Sequence, residues 1–251
     1  MKAISVCGYH HTGKTTVCET IIWGLKQRGF SVCSIKDIHN EEFTMEKAGS
    51  NSDRHYIAGA EPVIARGLNE TNLLWRRQLN FLEMLPHLHA DWLIVEGMHS
   101  LAMPRIICGD DKKKIAEKID ETVFAVSGKF ADDHDKYEEI PVISAMKDAD
   151  SLLELVLEKG FDVLPQADPK CCGHCGMSCR EFTGAVLRNE RLRDDCVTEN
   201  LGTVRYWLDD EEQKIVPFVQ NIFYDLIKGF VRNLKGYKAG KVRIEINTDG
   251  K

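Results

Sequence analysis

Apolar residues in the first 150 positions form short continuous runs, and some of the stretches between them have helical spacing. Val17, Ile21 and Leu25 share one face of a helix predicted over 15–28, and Gly29 ends it. Continuous apolar strands that alternate with helices are typical of a mostly parallel sheet covered by helices on both faces. The sequence therefore predicts an α/β fold for this part of the chain. The predicted strands are residues 3–7, 31–35, 92–95, 104–108, 122–126 and 141–143, and the last is followed by a helix that contains Leu152, Leu153, Val156 and Leu157.

The pattern changes after Gly160. Residues 165–170 contain two prolines and predict a linker. We therefore predict three units: an α/β domain at 1–160, a four-cysteine domain at 166–198 and a small strand–strand–helix–strand unit at 199–251. The elements predicted in the last two units are a helix at 180–190, a strand at 203–208, a polar turn at 209–213, a helix that begins at Pro217 with a broad apolar face for core or dimer packing, and a strand at 242–246.

Composition and charge limit the classes of protein that fit. The 251 residues include 33 basic and 39 acidic side chains, giving a net charge of -6, which argues against a general binder of nucleic acid or anionic membranes. No run approaches the ~18 consecutive apolar residues of a membrane-spanning helix. The amino-terminal apolar stretch is too short for a signal peptide. We therefore predict a cytoplasmic protein whose partners include neither nucleic acid nor a membrane.

A phosphate-binding motif lies between the first predicted strand and the first predicted helix. Residues 8–15 match G-x-x-x-x-G-K-[ST] at every fixed position. The glycines let backbone N–H groups converge on a polyphosphate, Lys14 places a charge at its β- and γ-phosphates, and the Thr15 hydroxyl is a ligand for Mg²⁺. The motif predicts a P-loop domain that binds a nucleoside triphosphate. Its predicted nucleotide-binding residues are Gly8, His11, Thr12, Gly13, Lys14, Thr15 and Thr16.

Two carboxylates follow predicted strands of the same domain. Glu96 comes directly after the apolar run 92–95, and Asp37 follows the strand at 31–35. We predict Thr15, Asp37 and Glu96 as Mg²⁺ ligands, and Lys14 and Glu96 as catalytic residues, with Glu96 holding the water shell of the metal or orienting the attacking water. The residues do not distinguish GTP from ATP, because the lysine and aspartate of segment 127–132 do not have the Asn-Lys-x-Asp spacing typical of a guanine site.

Five of the nine cysteines fall within residues 171–196. In a cytoplasmic protein such a cluster is more typical of a metal site than of disulfides. Cys172, Cys175 and Cys179 are bunched and Cys196 is remote, a pattern nearer to iron–sulfur ligation than to the paired hairpins of zinc sites. Zinc binding and free or redox-active thiols remain open alternatives, and Cys171 could replace Cys172. The other cysteines, predicted as core residues, are Cys7, Cys18, Cys33 and Cys108.

Four passages in the first 100 residues resemble the molybdopterin-guanine dinucleotide biosynthesis protein B (MobB) family: residues 8–16, 35–39, 46–60 and 93–97. The resemblance implies a Mg²⁺-dependent GTP-binding protein with slow GTPase activity that assists the attachment of a guanine nucleotide to molybdopterin. It further implies a homodimer whose partners are molybdopterin and the nucleotidyltransferase of molybdenum cofactor synthesis.

The cysteine segment resembles the 4Fe-4S domain of corrinoid iron–sulfur proteins in three passages: 172–176, 179–182 and Cys196. The resemblance implies an iron–sulfur cluster, 4Fe-4S in type, with a structural, redox-sensing or docking role. Its implied ligands are Cys172, Cys175, Cys179 and Cys196.

Other functions are compatible with the same motifs. A nucleotide-driven chaperone could insert a metal or cluster held by the cysteines. A scaffold could bind nucleotide without turnover, and a small-molecule kinase could use the same phosphate loop.

Overall fold

The computed structural model describes residues 1–40, 42–166, 172, 175–196, 206–208, 211–213, 217–235 and 244. The strands are β1 (Lys2–Gly8), β2 (Val32–Lys36), β3 (Val63–Arg66), β4 (Thr71–Leu74), β5 (Trp92–Glu96), β6 (Arg105–Cys108), β7 (Val123–Ser127), β8 (Lys136–Tyr137), β9 (Ile140–Pro141), β10 (Phe161–Asp162), β11 (Tyr206–Leu208) and β12 (Glu211–Gln213). The α-helices are α1 (Lys14–Gln27), α2 (Asn51–Ile57), α3 (Phe81–Met84), α4 (Lys112–Ala116), α5 (Ala149–Lys159), α6 (Cys179–Leu187) and α7 (Pro217–Arg232).

A central sheet with the strand order β2-β5-β1-β6-β7 organises the first part of the chain. These five strands are all parallel, and β10 adds to β1 in the antiparallel direction. Parallel pairing requires crossover connections, and α1 provides the first of them between β1 and β2. The carboxyl ends of β1, β2 and β5 therefore meet at one edge of the sheet, where the predicted site residues follow them.

Both faces of the sheet are buried, as continuous apolar strands require. Alternate residues of β1 and β5 pack beneath α1 and α5, and their neighbours pack on the opposite face with Phe81 and Leu101. A Cβ at Gly24 would lie 2.6 Å from a methyl carbon of Leu153, so the contact between α1 and α5 depends on the missing side chain. Three of the four cysteines predicted as core residues are buried in the core, namely Cys7, Cys18 and Cys108. The fourth, Cys33, is only partly buried.

A buried cation fixes the loop that leaves β5. Arg105 is 1% exposed, and its Nη1 donates to Oδ2 of Asp120 at 2.8 Å. Its Nη2 donates to the carbonyl oxygens of His99 at 2.9 Å and Leu101 at 2.8 Å. We call residues 97–104 the post-strand loop, because they follow the last residue of β5. A buried charge is tolerated only when it is paired and hydrogen-bonded, so the guanidinium and this loop stabilise each other.

The predicted α/β fold is confirmed, and the five strands of the parallel sheet and the first helix agree with their predicted positions within one or two residues. Of the strand predicted at 203–208, residues 206–208 form β11, and 203–205 lie outside the described residues. The run 141–143 is shorter than predicted, because β9 ends at Pro141 and Val142 makes only an isolated parallel bridge with Val126. The helix predicted at 180–190 ends at Leu187. The predicted strand 242–246 lies outside the described residues apart from Ile244. The division into three units stays a prediction.

The prediction of a polar turn at 209–213 is wrong at its last three residues. Residues 211–213, predicted as part of a polar turn, form β12 and pair antiparallel with β11. Glu-Glu-Gln has no apolar position that periodicity could detect, and the pairing is made by the backbone. Gln166, predicted as linker, is fixed by hydrogen bonds to Ala102, with a left-handed φ of 56°. Of the remaining predicted linker, 167–170 lies outside the described residues.

Sequence periodicity missed the segment between β2 and β5. It contains α2, α3 and the two-stranded β3–β4 sheet, which leaves Ile64 and Leu68 exposed. In the carboxyl-terminal part, α7 begins at Pro217 as predicted, and its exposed apolar residues include Leu226 and Phe230. None of the helices in the described part of the chain combines the length and apolar character needed to cross a lipid bilayer.

We expect Arg105→Met to lower the free energy of unfolding by roughly 3–5 kcal/mol, because it removes the buried charge partner of Asp120 and the donor to the buried Leu101 carbonyl. Denaturant unfolding monitored by circular dichroism measures the change. Arg28→Ala is the control, because Arg28 forms an ion pair with Glu154 at 2.5 Å on the exposed surface. It should cost less than about 1 kcal/mol. An equal loss of unfolding free energy in the two variants would contradict the role that we assign to the buried Arg105.

Candidate nucleotide-binding site

The phosphate loop connects β1 to α1, and its backbone conformation depends on two glycines. Gly8 and Gly13 have φ values of 150° and 97°. A Cβ at Gly8 would lie 2.1 Å from the carbonyl oxygen of Cys108, so no other residue fits there without moving β6. Thr12 is fully buried, and its Oγ1 donates to the carbonyl oxygen of Tyr9 at 2.9 Å. These contacts fold the loop back over the end of the sheet.

The first turn of α1 is open toward this loop. Gly13 is its N-cap, and no side chain in the described part of the chain caps it. Its N–H groups and the positive end of the helix dipole therefore face the space enclosed by the loop, an arrangement that binds phosphate. The geometry fits a polyphosphate.

The cation of the motif folds back onto its own loop. Nζ of Lys14 donates to the carbonyl oxygen of Tyr9 at 2.5 Å. A neutral carbonyl is a weaker acceptor than a phosphate oxygen, so the ammonium can exchange this partner for a phosphate. Thr15 and Thr16 are exposed on the first turn of α1, and His11 is exposed on the loop with a left-handed φ of 59°.

Thr15, Lys36 and Glu96 come together beside the helix terminus. Oγ1 of Thr15 donates to Oε1 of Glu96 at 3.0 Å, and Oε2 is 3.2 Å away. Nζ of Lys36 lies 3.2 Å from both Oε2 of Glu96 and Oγ1 of Thr15. The parallel register that pairs Lys36 with Glu96 on adjacent strands produces this group. Thr15 and Glu96 were predicted as site residues, and Lys36, which precedes Asp37 in the sequence, completes the group.

Asp37 lies next to this group but has other partners. Its Oδ2 accepts a hydrogen bond from the backbone N–H of Met98 at 3.3 Å and lies 3.1 Å from Nε2 of His39. A Cβ at Gly97 would lie 2.9 Å from the Cβ of Asp37, so Gly97 allows the post-strand loop to pass close to it. Asp37 is thus held by that loop, whereas Thr15 and Glu96 contact each other directly. Carboxylate and hydroxyl oxygens are suitable ligands for Mg²⁺, and the three side chains supply both.

His99 is a residue of this region that sequence reasoning missed, because no motif marks its position in the post-strand loop. Burial, and then the nearby charges of Lys118, Arg105 and Lys14, lower the pKa of His99 to about 4. The imidazole is therefore neutral at neutral pH, chiefly because it is buried. The cations that add to this shift, Lys118, Arg105 and Lys14, also favour a polyanion at the phosphate loop.

Segment 127–132 packs against the other side of the phosphate loop. A Cβ at Gly128 would lie 2.1 Å from the carbonyl oxygen of Thr12, and the backbone N–H of Lys129 donates to that oxygen at 3.0 Å. Oδ1 of Asp132 accepts a hydrogen bond from Oγ of Ser144 at 3.0 Å. The segment thus borders the predicted nucleotide site, although its spacing does not identify a base.

The cysteine segment gathers several of its thiols around one small apolar cluster. Cys175 and Cys179 pack against Leu164, Phe182 and Cys196, and the last three are buried. Cys172 is also buried. Among the residues that the structure describes, no three His, Cys, Asp or Glu side chains are arranged to hold a metal ion. The thiols have the chemistry that a soft metal prefers, but they do not form a closed ligand set here, and metal binding stays a prediction.

The sequence of this chain is similar to those of known proteins from one family. A sequence profile described as "Molybdopterin guanine dinucleotide synthesis protein B" (MobB) matches residues 3–129. A Methanocaldococcus jannaschii protein named as a molybdopterin-guanine dinucleotide biosynthesis adapter is 29% identical over 254 residues, covering 98% of each chain. A Bacillus subtilis protein with the same designation is 23% identical over 146 residues, covering 57% of this chain and 84% of its own.

A solved structure shares the fold. The crystal structure of Bacillus subtilis MobB aligns with a TM-score of 0.52 and 21% identity, covering 63% of this chain and 97% of its own. The match supports the architecture of the parallel sheet and its helices. The family profile covers about half of the chain and includes the phosphate loop, Asp37 and Glu96. The chain therefore belongs to the molybdopterin-guanine dinucleotide biosynthesis protein B (MobB) family.

Proposed function

We propose that this protein is a cytoplasmic Mg²⁺-dependent GTP-binding adapter with slow GTPase activity, which assists the attachment of a guanine nucleotide to molybdopterin. The observation that carries the proposal is the contact of Thr15 with Glu96 beside the open amino terminus of α1. The preference for GTP rests on the names of the relatives, which specify molybdopterin-guanine dinucleotide. The proposed partners are molybdopterin, its nucleotidyltransferase and a second copy of the chain.

The phosphate loop would bind the nucleotide through its backbone N–H groups. Lys14 exchanges its Tyr9 carbonyl partner for oxygens of the β- and γ-phosphates, and so neutralises charge that develops during hydrolysis. Thr15, Asp37 and Glu96 would hold Mg²⁺, which supplies Lewis-acid stabilisation of the phosphate oxygens. Glu96 also accepts a hydrogen bond from the attacking water.

We expect slow turnover from the partners of Glu96. Thr15 and Lys36 engage its carboxylate oxygens at 3.0 and 3.2 Å, so a water molecule must compete with these partners for the carboxylate. The site therefore combines strong features for phosphate binding with weak ones for water activation. Such a balance suits an adapter that holds its nucleotide for a long time.

We expect Lys14→Ala to weaken binding of a fluorescent GTP analogue by ~10- to 100-fold in the presence of Mg²⁺, because a hydrogen bond to a charged group contributes about 1.5–3 kcal/mol. Fluorescence titration measures the dissociation constant. Lys26→Ala is the control, since it removes an equal charge from the last turn of the same helix. Equal affinities of the two variants would show that the loop does not bind phosphate. A parallel ATP titration tests the base preference.

We expect Glu96→Gln to lower the rate of GTP hydrolysis by at least ~10-fold at saturating GTP and Mg²⁺, since a positioned acid–base group contributes ~10²- to 10⁴-fold. Single-turnover phosphate release measures the rate. Glu19→Gln is the control because Glu19 is exposed on α1. Hydrolysis at the wild-type rate in Glu96→Gln would assign the water-orienting role elsewhere.

We also propose that Cys172, Cys175, Cys179 and Cys196 hold an iron–sulfur cluster of the 4Fe-4S type without a role in hydrolysis. Support comes from their spacing and from the shared packing of Cys175, Cys179 and Cys196. No step of the nucleotide chemistry depends on this group.

Purification without oxygen should yield a protein with bound iron, acid-labile sulfide and broad visible absorption. Cys175→Ser and Cys179→Ser should each reduce the iron content, because serine is a poor ligand for iron in such clusters. Cys33→Ser should leave it unchanged, because Cys33 lies in β2 and donates to the carbonyl oxygen of Trp92. One zinc ion per chain without iron would contradict the cluster.

A further inference from the structure

Two side chains of the predicted four-cysteine domain (166–198) bind the post-strand loop. Nη2 of Arg180, the residue after Cys179, donates to the carbonyl oxygens of His99 at 3.0 Å and Ser100 at 3.3 Å. Gln166 makes a reciprocal pair with Ala102, accepting from its N–H at 2.7 Å and donating to its carbonyl oxygen at 2.9 Å. The loop residues that Arg180 and Gln166 contact lie within 99–102, so these contacts are made only a few positions after Glu96 in the sequence.

Arg180 also joins the buried ion pair of the α/β domain. Its Nη1 contacts Oδ2 of Asp120, the same oxygen that Arg105 contacts at 2.8 Å. The carbonyl oxygen of His99 likewise accepts from both arginines. One cation in this arrangement comes from the sheet and the other from α6. The position of α6 therefore determines whether the His99 carbonyl oxygen and Oδ2 of Asp120 have one arginine donor or two.

The packing of α6 leaves little freedom for a gradual shift. Phe182 and Thr183 on this helix are buried, and a Cβ at Gly184 would lie 2.8 Å from the Cβ of Glu121. A close-packed contact of this kind favours discrete arrangements over continuous movement. We therefore expect α6 either to be seated with Arg180 on the loop or to be released from it.

The other end of the post-strand loop reaches the nucleotide site. The N–H of Met98 donates to Asp37, and the N–H of Leu101 donates to the carbonyl oxygen of Met98 at 3.1 Å. Cys7 donates to the carbonyl oxygen of Gly97 at 3.1 Å. Hydrogen bonds at adjacent residues of the loop, together with the loop backbone, thus connect Arg180 to Asp37.

We propose that Arg180 is a positioning residue for the nucleotide site, and that through it the cysteine segment and the bound nucleotide stabilise each other's ordered state. This inference rests on the proposed nucleotide binding. Arg180 holds the post-strand loop in the conformation that places Asp37 and His99 beside the phosphate loop. Coupling between two sites is reciprocal, so nucleotide binding must strengthen the seating of α6 by the same factor by which Arg180 strengthens nucleotide binding.

The test compares the full-length wild type with Arg180→Ala, Arg180→Lys and Arg188→Ala. Arg188 is the matched control, because it is the C-cap of the same helix and forms an ion pair with Glu190 on the surface. Fluorescence titration with a GTP analogue and Mg²⁺ gives the affinity and the stoichiometry. Hydrogen–deuterium exchange with and without the analogue gives the protection of 179–187 and 97–104.

We expect Arg180→Ala to bind the analogue at least ~5-fold more weakly at unchanged stoichiometry, the lower end of typical coupling. The nucleotide analogue should slow hydrogen–deuterium exchange of the α6 amides in the wild type and in Arg188→Ala. It should leave the exchange rate of these amides unchanged in Arg180→Ala. Arg180→Lys should recover part of the affinity because it keeps the charge near Asp120. Gln166→Asn, which shortens the second anchor while tolerating the left-handed backbone, should weaken binding in the same direction.

The outcomes separate this inference from the proposed function. Wild-type affinity in Arg180→Ala, or an α6 that does not respond to nucleotide in wild type, overturns the inference and leaves nucleotide binding intact. A lowered stoichiometry with unchanged affinity shows a purely structural Arg180 and also overturns it. Failure of the wild type to bind either GTP or ATP with Mg²⁺ overturns both.

Discussion

The parallel pairing of β5 with β1 and β2 is the constraint on which the site depends. Its register sets Val6 and Lys36 opposite Glu96, so three chain segments that are far apart in sequence end at one edge. The phosphate loop leaves from the first of these strands and the post-strand loop from the last. A shift of the strand pairing by two residues would keep each side chain on the same face of the sheet, but it would separate Glu96 from Thr15. The strand register is therefore a functional feature as much as a structural one.

The buried ion pair of Arg105 and Asp120 forms a second level of organisation. Its hydrogen bonds are made to backbone carbonyls, so it fixes the path of the post-strand loop whatever side chains that loop carries. Arg180 reaches one of these carbonyls, that of His99, and Oδ2 of Asp120 from a part of the chain that the family profile does not include. The cysteine segment is thus attached to the sheet at the loop most closely connected with the site.

The sequence predicted the sheet and the phosphate loop well, because each depends on local patterns. Apolar runs identify buried strands, and the fixed glycines of the loop are required by backbone positions such as that of Gly8. It could not predict that Lys36 contacts both Thr15 and Glu96, since that contact depends on strand register. The hydrogen bonds of Arg180 and Gln166 were equally inaccessible. They join residues separated by 60 or more positions, and no spacing rule connects such residues.

The cysteines buried beneath the phosphate loop have a chemical consequence of their own. Burial raises the pKa of Cys18 to about 12, and it raises the pKa of Cys7 and Cys108 as well. At neutral pH these groups are thiols, and the thiolate is the form that electrophiles and oxidants attack. Cys175 and Cys179, in contrast, are partly exposed. Oxidants are therefore expected to react first with the partly exposed thiols Cys33, Cys175 and Cys179, and burial protects the thiols that pack beneath the phosphate loop.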